Sequence, residues 1–360
     1  MTHILNTEIL TTDDVLLVPN LGILNSRSDA KLHSFLYSAP MDRVTGHAMA
    51  KNLLEMGENT VICRNIPEAE WDACIKEFAA RPPTLKGQVF FAISTCRKWL
   101  KTFINKLIAF KIEQPINVAI DIAHGDMKTA HELAGYLQEL GICRYIMSGS
   151  ICTLEAARRC IAAGCTHLRV GVGPGSMCTT RLQTGCGYPQ LSAIYKISQG
   201  LNSTERGKVK IIADGGVRTP GDAVKYMAAG ADAVMLGSRL SRALEAPGWL
   251  SEGYEPPSPG EVITFPRVTP NPILTKIFRG HASASFQKDH NKINRCPEGA
   301  STKIKWLGET AESVVSEFRG GLSSAISYLG LTQSDQLGPN TVRMIKITPA
   351  ATSEGKPHGV

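Results

Sequence analysis

A chain of 360 residues, 43% hydrophobic and 20% charged, is long enough to bury a large core and has an ordinary globular composition. No run of about 18 apolar residues is present, which excludes a membrane-spanning helix, and the start Met-Thr-His-Ile-Leu-Asn-Thr-Glu lacks the basic residues and apolar run of a secretory signal. The formal charge of +7 favours anionic ligands in general, but no nucleic-acid motif accompanies the densest basic stretch, residues 97–111, so a solvated amphipathic helix is expected there and nucleic acid is not an expected partner.

Ten cysteines are too dilute for a disulfide framework, and they form no C-x-x-C pair of the kind that binds zinc. Cys143, Cys152, Cys160 and Cys165 read as core thiols of a reducing cytosol.

In chain order, short β-type runs alternate with helical patterns. Strands are predicted at 35–39, 60–63, 89–93, 116–121, 143–148, 166–170, 209–213 and 233–236. Helices are predicted after each, at about 44–57, 67–80, 97–110, 127–141, 153–164, 188–200, 219–230 and 310–328. Eight alternating units with short connections predict a parallel sheet closed into a (β/α)8 TIM barrel. An open doubly wound sheet is the alternative, but it usually carries G-x-G-x-x-G after its first strand, and that motif is absent here.

A barrel of this kind keeps its reactive groups just after the strands. Five strand ends are chemically loaded: Ser38 with Met41-Asp42, Asp121 with His124-Gly125, the Gly171–Thr180 loop, Asp214-Gly215-Gly216, and Gly237-Ser238. The last strand is followed by a long excursion, read as an active-site flap at about 246–308. It has stiff proline-bearing loops at 255–260 and 266–272 and a polar, basic stretch at 286–300. Residues 341–348 alternate like a strand within a C-terminal tail of about 331–360, whose end, 353–360, looks irregular.

The most informative stretch is Val170-Gly-Val-Gly-Pro-Gly-Ser-Met-Cys-Thr-Thr-Arg. Its glycines let the backbone turn tightly and approach a ligand, and its N–H groups suit a phosphate. Cys178, two residues past Ser176, would stand at a fixed distance from that phosphate. The alternative is a tight turn with a buried cysteine, but glycines and hydroxyl residues around Cys178 offer it no apolar face to fill.

Gly-Val-Gly-Pro-Gly-Ser-Met-Cys-Thr-Thr-Arg resembles the active-site loop of the inosine monophosphate dehydrogenase and guanosine monophosphate reductase family. The resemblance runs nearly end to end, through Thr12-Asp-Asp-Val-Leu-Leu-Val-Pro, Ser26-Arg-Ser, Ser38-Ala-Pro-Met-Asp, Ile120-Asp-Ile-Ala-His-Gly, Ala213-Asp-Gly-Gly-Val-Arg-Thr-Pro-Gly-Asp, Met235-Leu-Gly-Ser and Gly321-Leu-Ser-Ser-Ala-Ile-Ser-Tyr. It implies one catalytic barrel over 1–360 that acts on a purine nucleotide monophosphate. Cys178 would attack C2 of the base, assisted by Thr180. Ser176, Gly216, Gly237 and Ser238 would hold the 5′-phosphate, and Asp214 would accept from the ribose hydroxyls. Asp214 read from the residues alone could instead be a helix N-cap. Ser38, Met41, Gly280, His281 and Ala282 would complete the substrate site, with Asp121 facing the nicotinamide ribose of the cofactor. The carbonyls of Gly173, Gly175 and Cys178 could coordinate a potassium ion, as in the dehydrogenases.

Between the two activities, the flap favours the reductase. Gly280-His-Ala-Ser-Ala-Ser-Phe-Gln-Lys-Asp-His-Asn-Lys-Ile-Asn-Arg-Cys-Pro-Glu-Gly lacks the Arg-Tyr pair with which dehydrogenases activate water, and Glu298 stands where reductases protonate the departing amine. Gly185-Cys-Gly-Tyr-Pro-Gln has the same flavour, and residues 64–88 leave no room for the dehydrogenases' tandem regulatory insert. Leu244-Glu-Ala-Pro-Gly and the Pro-His-Gly-Val ending look like dehydrogenases. Phe278, in place of a phosphate-binding tyrosine, Arg43 after Met-Asp and Ser148-Gly-Ser fit neither pattern. The expectation is reductive deamination of GMP to IMP with NADPH in a cytoplasmic homotetramer. NAD-dependent oxidation of IMP to XMP is the alternative, and a catalytically silent nucleotide-binding or assembly subunit is a lesser one.

Overall fold

The computed structural model describes residues 8–82, 87–251, 273–291 and 296–355. Eight parallel strands close on themselves: β1 Leu36–Ser38, β2 Asn59–Ile62, β3 Val89–Ile93, β4 Ile116–Asp121, β5 Cys143–Ile151, β6 His167–Val170, β7 Lys210–Asp214 and β8 Ala233–Leu236. β1 pairs with both β2 and β8, so the ring has no edge. Around it stand α1 His47–Glu55, α2 Glu68–Phe78, α3 Arg97–Ala109, α4 Lys128–Glu139, α5 Leu154–Ala162, α6 Gln190–Gly200, α7 Pro220–Ala228 and α8 Ala311–Tyr328. The chain is a (β/α)8 TIM barrel, with each strand and its following helix at the predicted place.

Successive strand residues face opposite ways, which divides the core in two. Phe90 and Ala92 join Tyr37, Val61, Ala119, Met147, Ile212 and Met235 inside the ring. Phe91 turns outward, its ring 5.7 Å from Trp71 on α2 and 6.2 Å from Phe103 on α3. The basic helix α3 buries Leu100, Phe103 and Leu107 and leaves Lys98 and Lys101 in solvent, as its spacing predicts.

One buried carboxylate fastens the first strand of the ring to the last helix around it. Glu58, fully buried, accepts the N–H groups of Phe35 and Leu36 at 3.0 and 3.1 Å through Oε2. Its Oε1 accepts Nε and Nη2 of Arg319 on α8 at 3.0 and 2.8 Å. Burial pushes the Glu58 carboxyl up, while those backbone and Arg319 bonds pull it back.

Several elements differ from the sequence reading. The flap carries a three-stranded antiparallel sheet of Leu250–Ser251, Leu274–Arg279 and Ser301–Lys305, with a short helix Ala284–Asp289 that runs into the start of the stretch read as merely polar and basic. Lys276 and Arg279 occupy buried positions of the central flap strand, which hides its alternation. The two proline-bearing flap loops lie outside the described residues. The tail strand is shorter than expected, Met344–Lys346, and pairs with an unforeseen strand Val15–Leu17. Pro349–Glu354 is a helix capped by Thr348, which takes in the first two residues of the stretch read as irregular. Of the four clustered cysteines, Cys160 and Cys165 are buried, whereas Cys143 and Cys152 are half-buried.

Candidate active site

β6 ends at Val170, and the glycine loop follows on the C-terminal side of the ring. Gly173 has φ +84°, and a side chain there would meet Arg181 Cγ at 2.5 Å. Gly215, φ +88°, comes so close to the loop that an added Cβ would sit 3.0 Å from the Gly175 nitrogen. The missing side chains thus press the β6 and β7 loops together and bring Ser176, which is exposed, and Gly216 to one rim. On the other side, Met41 Sδ would lie 3.4 Å from a Cβ at Gly237, which joins the β1 and β8 ends beside Ser238.

The flap zips onto the Cys178 loop through its backbone. Thr179 N–H donates to the Glu298 carbonyl at 2.9 Å, and Ala300 N–H donates to the Met177 carbonyl at 2.7 Å. Glu298 N–H donates to the Ala282 carbonyl at 3.0 Å, and Gly280 packs against Met177. These contacts place three side chains in line. The Cys178 thiol donates to Thr180 Oγ1 at 3.2 Å, and that hydroxyl donates to Glu298 Oε2 at 2.9 Å. A thiol, a hydroxyl and a carboxylate form one hydrogen-bonded chain, all three half-buried.

At the flap's other end, Arg279, 4% exposed, bonds Asp42 Oδ2 through Nε and Nη2 at 3.1 and 2.7 Å. Lys276 Nζ donates to the carbonyls of Arg43 and Pro247 at 3.0 and 3.3 Å, over the Trp249 ring. Burial, with Arg43 nearby, pushes this amine down to about 6. His281 Nε2 accepts the Asp42 N–H at 3.1 Å, while Nδ1 lies 3.8 Å from Asp121 Oδ2. Arg43 itself turns to Asp42 and Gly248, and Phe278 is buried.

The two carboxylates of the mouth are both engaged. Asp214 is not a helix cap: Thr219 fills that position on α7, with Asp222 completing a capping box. Arg169 donates to Asp214 Oδ2 through Nε and Nη2 at 3.0 and 2.8 Å, and to Asp121 Oδ1 through Nη1 at 2.9 Å. Asp121 Oδ2 is held by Arg64, whose Nη1 also donates to the Asp121 carbonyl at 2.8 Å. Burial raises the Asp121 carboxyl, but Arg64, Arg169 and His281 outweigh it and hold it below the usual carboxylate range.

The sequence reading missed Arg64 and Arg169. A charged residue within the apolar β6 run was the available signal, since a buried charge requires a partner. Ser38 is the expected site residue least open to a ligand: it is fully buried, with its hydroxyl 2.8 Å from that of Thr60.

An ionised Asp121 at the mouth is acceptor-only, which fits the ribose hydroxyls of a nicotinamide cofactor. In the turn read as a potassium site, the Gly175 carbonyl accepts the Cys178 N–H at 3.0 Å, and Arg181 Nε donates to the neighbouring Val172 carbonyl at 3.1 Å. Among the described residues no group of three His, Cys, Asp or Glu gathers as a metal site, and no helix is long and apolar enough to cross a membrane.

Comparison with known proteins places this geometry. A family model described as IMP dehydrogenase / GMP reductase domain matches residues 9–358. An inosine-5′-monophosphate dehydrogenase of Halalkalibacterium halodurans is 35% identical over 256 residues, 70% of this chain and 50% of that protein. GMP reductase 2 of Bos taurus is 30% identical over 365 residues, 97% of each chain. GMP reductase of Shigella flexneri is 30% identical over 349 residues, 91% of this chain and 92% of its own. The matched stretch is thus about half of the bacterial dehydrogenase and nearly all of the reductases.

Proposed function

We propose, for a chain that belongs to the IMP dehydrogenase and GMP reductase family of oxidoreductases, that it reductively deaminates GMP to IMP and ammonia with NADPH. The observation that carries this reading is the Cys178–Thr180–Glu298 hydrogen-bond chain. Its donors all point one way, from thiol to hydroxyl to carboxylate, so the thiol proton can pass through Thr180 to Glu298. The thiolate left behind is the species that bonds to C2 of the base. Glu298, now a carboxylic acid, returns the proton to the amine on C2, which departs as ammonia and leaves a thioimidate on Cys178. NADPH, when bound, supplies the hydride that C2 then receives, and the Cys178 sulfur leaves as IMP forms.

Ser176, Gly216, Gly237 and Ser238 hold the 5′-phosphate in this reading, with Asp214 on the ribose. Met41, Gly280, His281 and Ala282 surround the base, and Asp121 meets the cofactor. Flap contacts on Met177 and Thr179 keep water from the thioimidate, which a reductase requires. The reading extends to a single catalytic barrel working in the cytoplasm as a homotetramer.

A second reading, NAD-dependent oxidation of IMP to XMP, has its own support in the 35% identity to a bacterial dehydrogenase. The test is direct. GMP plus NADPH, then IMP plus NAD, are followed by absorbance at 340 nm. Loss of absorbance with GMP and no gain with IMP is the expected result, and the reverse would make the protein a dehydrogenase. Silence in both assays, with nucleotide still bound, would leave a binding subunit.

A further inference from the structure

We infer that Arg169 is a positioning residue that couples nucleotide binding to cofactor binding, because one guanidinium holds the carboxylates of both sites. The inference rests on the reading of Asp214 and Asp121 as ribose acceptors.

The topology explains how one side chain reaches both. Asp121, Gly149 and Arg169 stand in register across β4, β5 and β6. Gly149 separates the other two and carries no side chain, and a Cβ there would fall 2.4 Å from Arg169 Cβ. The guanidinium therefore crosses β5 unobstructed to Asp121 Oδ1 and turns its other edge to Asp214 Oδ2 on β7. Arg169 is 7% exposed, so solvent does not compete for these bonds. Its donors are split by the planar fork, three bonds shared between two carboxylates. A lysine, a single point charge, could hold only one of them in this way.

Both bonds to Asp214 fall on Oδ2, which leaves Oδ1 without a protein hydrogen bond among the described residues. A ribose hydroxyl bound at Oδ1 would fix the Asp214 rotamer and, through Oδ2, the guanidinium. A fixed guanidinium in turn fixes Asp121. The ordering that the second ligand would otherwise have to impose is then already in place, and linkage makes the effect equal in both directions.

The test uses the full chain and calorimetric titration with IMP and NADPH, a non-productive pair that permits equilibrium measurement. Each ligand should tighten the other by at least about 5-fold, the lower end of ordinary allosteric coupling. In Arg169→Lys the charge stays but the bridge is lost, and the coupling should fall to within about twofold of unity. Should Arg169→Lys fail to fold, the cross-effects decide: Asp214→Asn should weaken NADPH binding measured without IMP, and Asp121→Asn should weaken IMP binding measured without NADPH. Undiminished coupling in Arg169→Lys, or carboxamide variants that each weaken only their own ligand, would overturn the inference and leave the ribose roles standing. Carboxamide variants that leave even their own ligand untouched would remove the ribose reading itself.

Discussion

Cys178 and Gly299 face each other across an antiparallel bridge, so the flap meets the Cys178 loop as backbone before any side chain is involved. Glu298 comes within 2.9 Å of Thr180 because its own carbonyl and the Ala300 N–H are already tied to that loop. Backbone bonds survive side-chain substitution, which makes the carboxylate testable alone. Glu298→Gln keeps shape and an acceptor but can neither take the thiol proton nor return it. GMP turnover should fall by about 10²–10⁴-fold, the usual effect of a positioned acid–base group, while GMP affinity changes much less. Single-turnover kinetics check it, and unchanged turnover would reduce Glu298 to a loop residue.

Cys178→Ala should abolish turnover and still bind GMP, since the proposed phosphate and ribose contacts, Ser176, Gly216, Gly237, Ser238 and Asp214, do not include the thiol. Iodoacetamide should label Cys178 ahead of the buried Cys63, Cys74, Cys160 and Cys165. Bound GMP should protect it, as peptide mapping would show. Turnover within tenfold of the wild type would rule out the covalent route.

Inside the ring, His167 lies 4.9 Å from the Phe90 ring and 5.3 Å from that of Tyr145. Burial, with Lys210 adding to it, pushes its pKa down to about 4 from 6.5. The unfolded chain binds the proton more readily, so this group's stabilising contribution is full above about pH 6.5 and is lost as pH falls toward 4. The difference corresponds to about 3 kcal/mol. His167→Gln should flatten that part of the stability–pH curve in urea titrations between pH 4 and 7. A slope equal to that of the wild type would contradict it.

Glu58→Gln should destabilise the barrel by about 3 kcal/mol, because it leaves Arg319 without its carboxylate and two backbone donors with a weaker acceptor. Thermal unfolding checks this, and GMP turnover per folded molecule should not change, since Glu58 binds the N-terminal end of β1.

The strands and helices of the ring were legible because each is a short apolar run or a helical stripe bounded by turn residues. The β3 run Val-Phe-Phe-Ala-Ile can be little else. The flap was not, because Lys276 and Arg279 are buried polar side chains in its central strand and find most of their partners far away in sequence: Asp42, the Arg43 carbonyl and the Pro247 carbonyl, with only Asp289 nearby. In the site, Cys178, Thr180 and Glu298 were legible from motif, and the structure brings them together. Arg64 and Arg169 were not, since their work is to hold other residues, and pairing across strands leaves no local pattern.

In the hydrogen-bond chain from Cys178 to Glu298, the link between Thr180 and Glu298 joins residues 118 positions apart, and that separation has an engineering consequence. On the proposed reading, the sulfur, the phosphate cradle and both ribose carboxylates belong to the ring, whereas the proton acceptor and the base contacts Gly280, His281 and Ala282 arrive on a segment docked by its backbone and by Lys276 and Arg279. Recognition of phosphate and ribose and the fate of the base are then written on different stretches of chain. A graft that replaced the flap and kept its anchors on Asp42 and Arg43 would ask the same nucleotide pocket to carry out a different second half of the reaction.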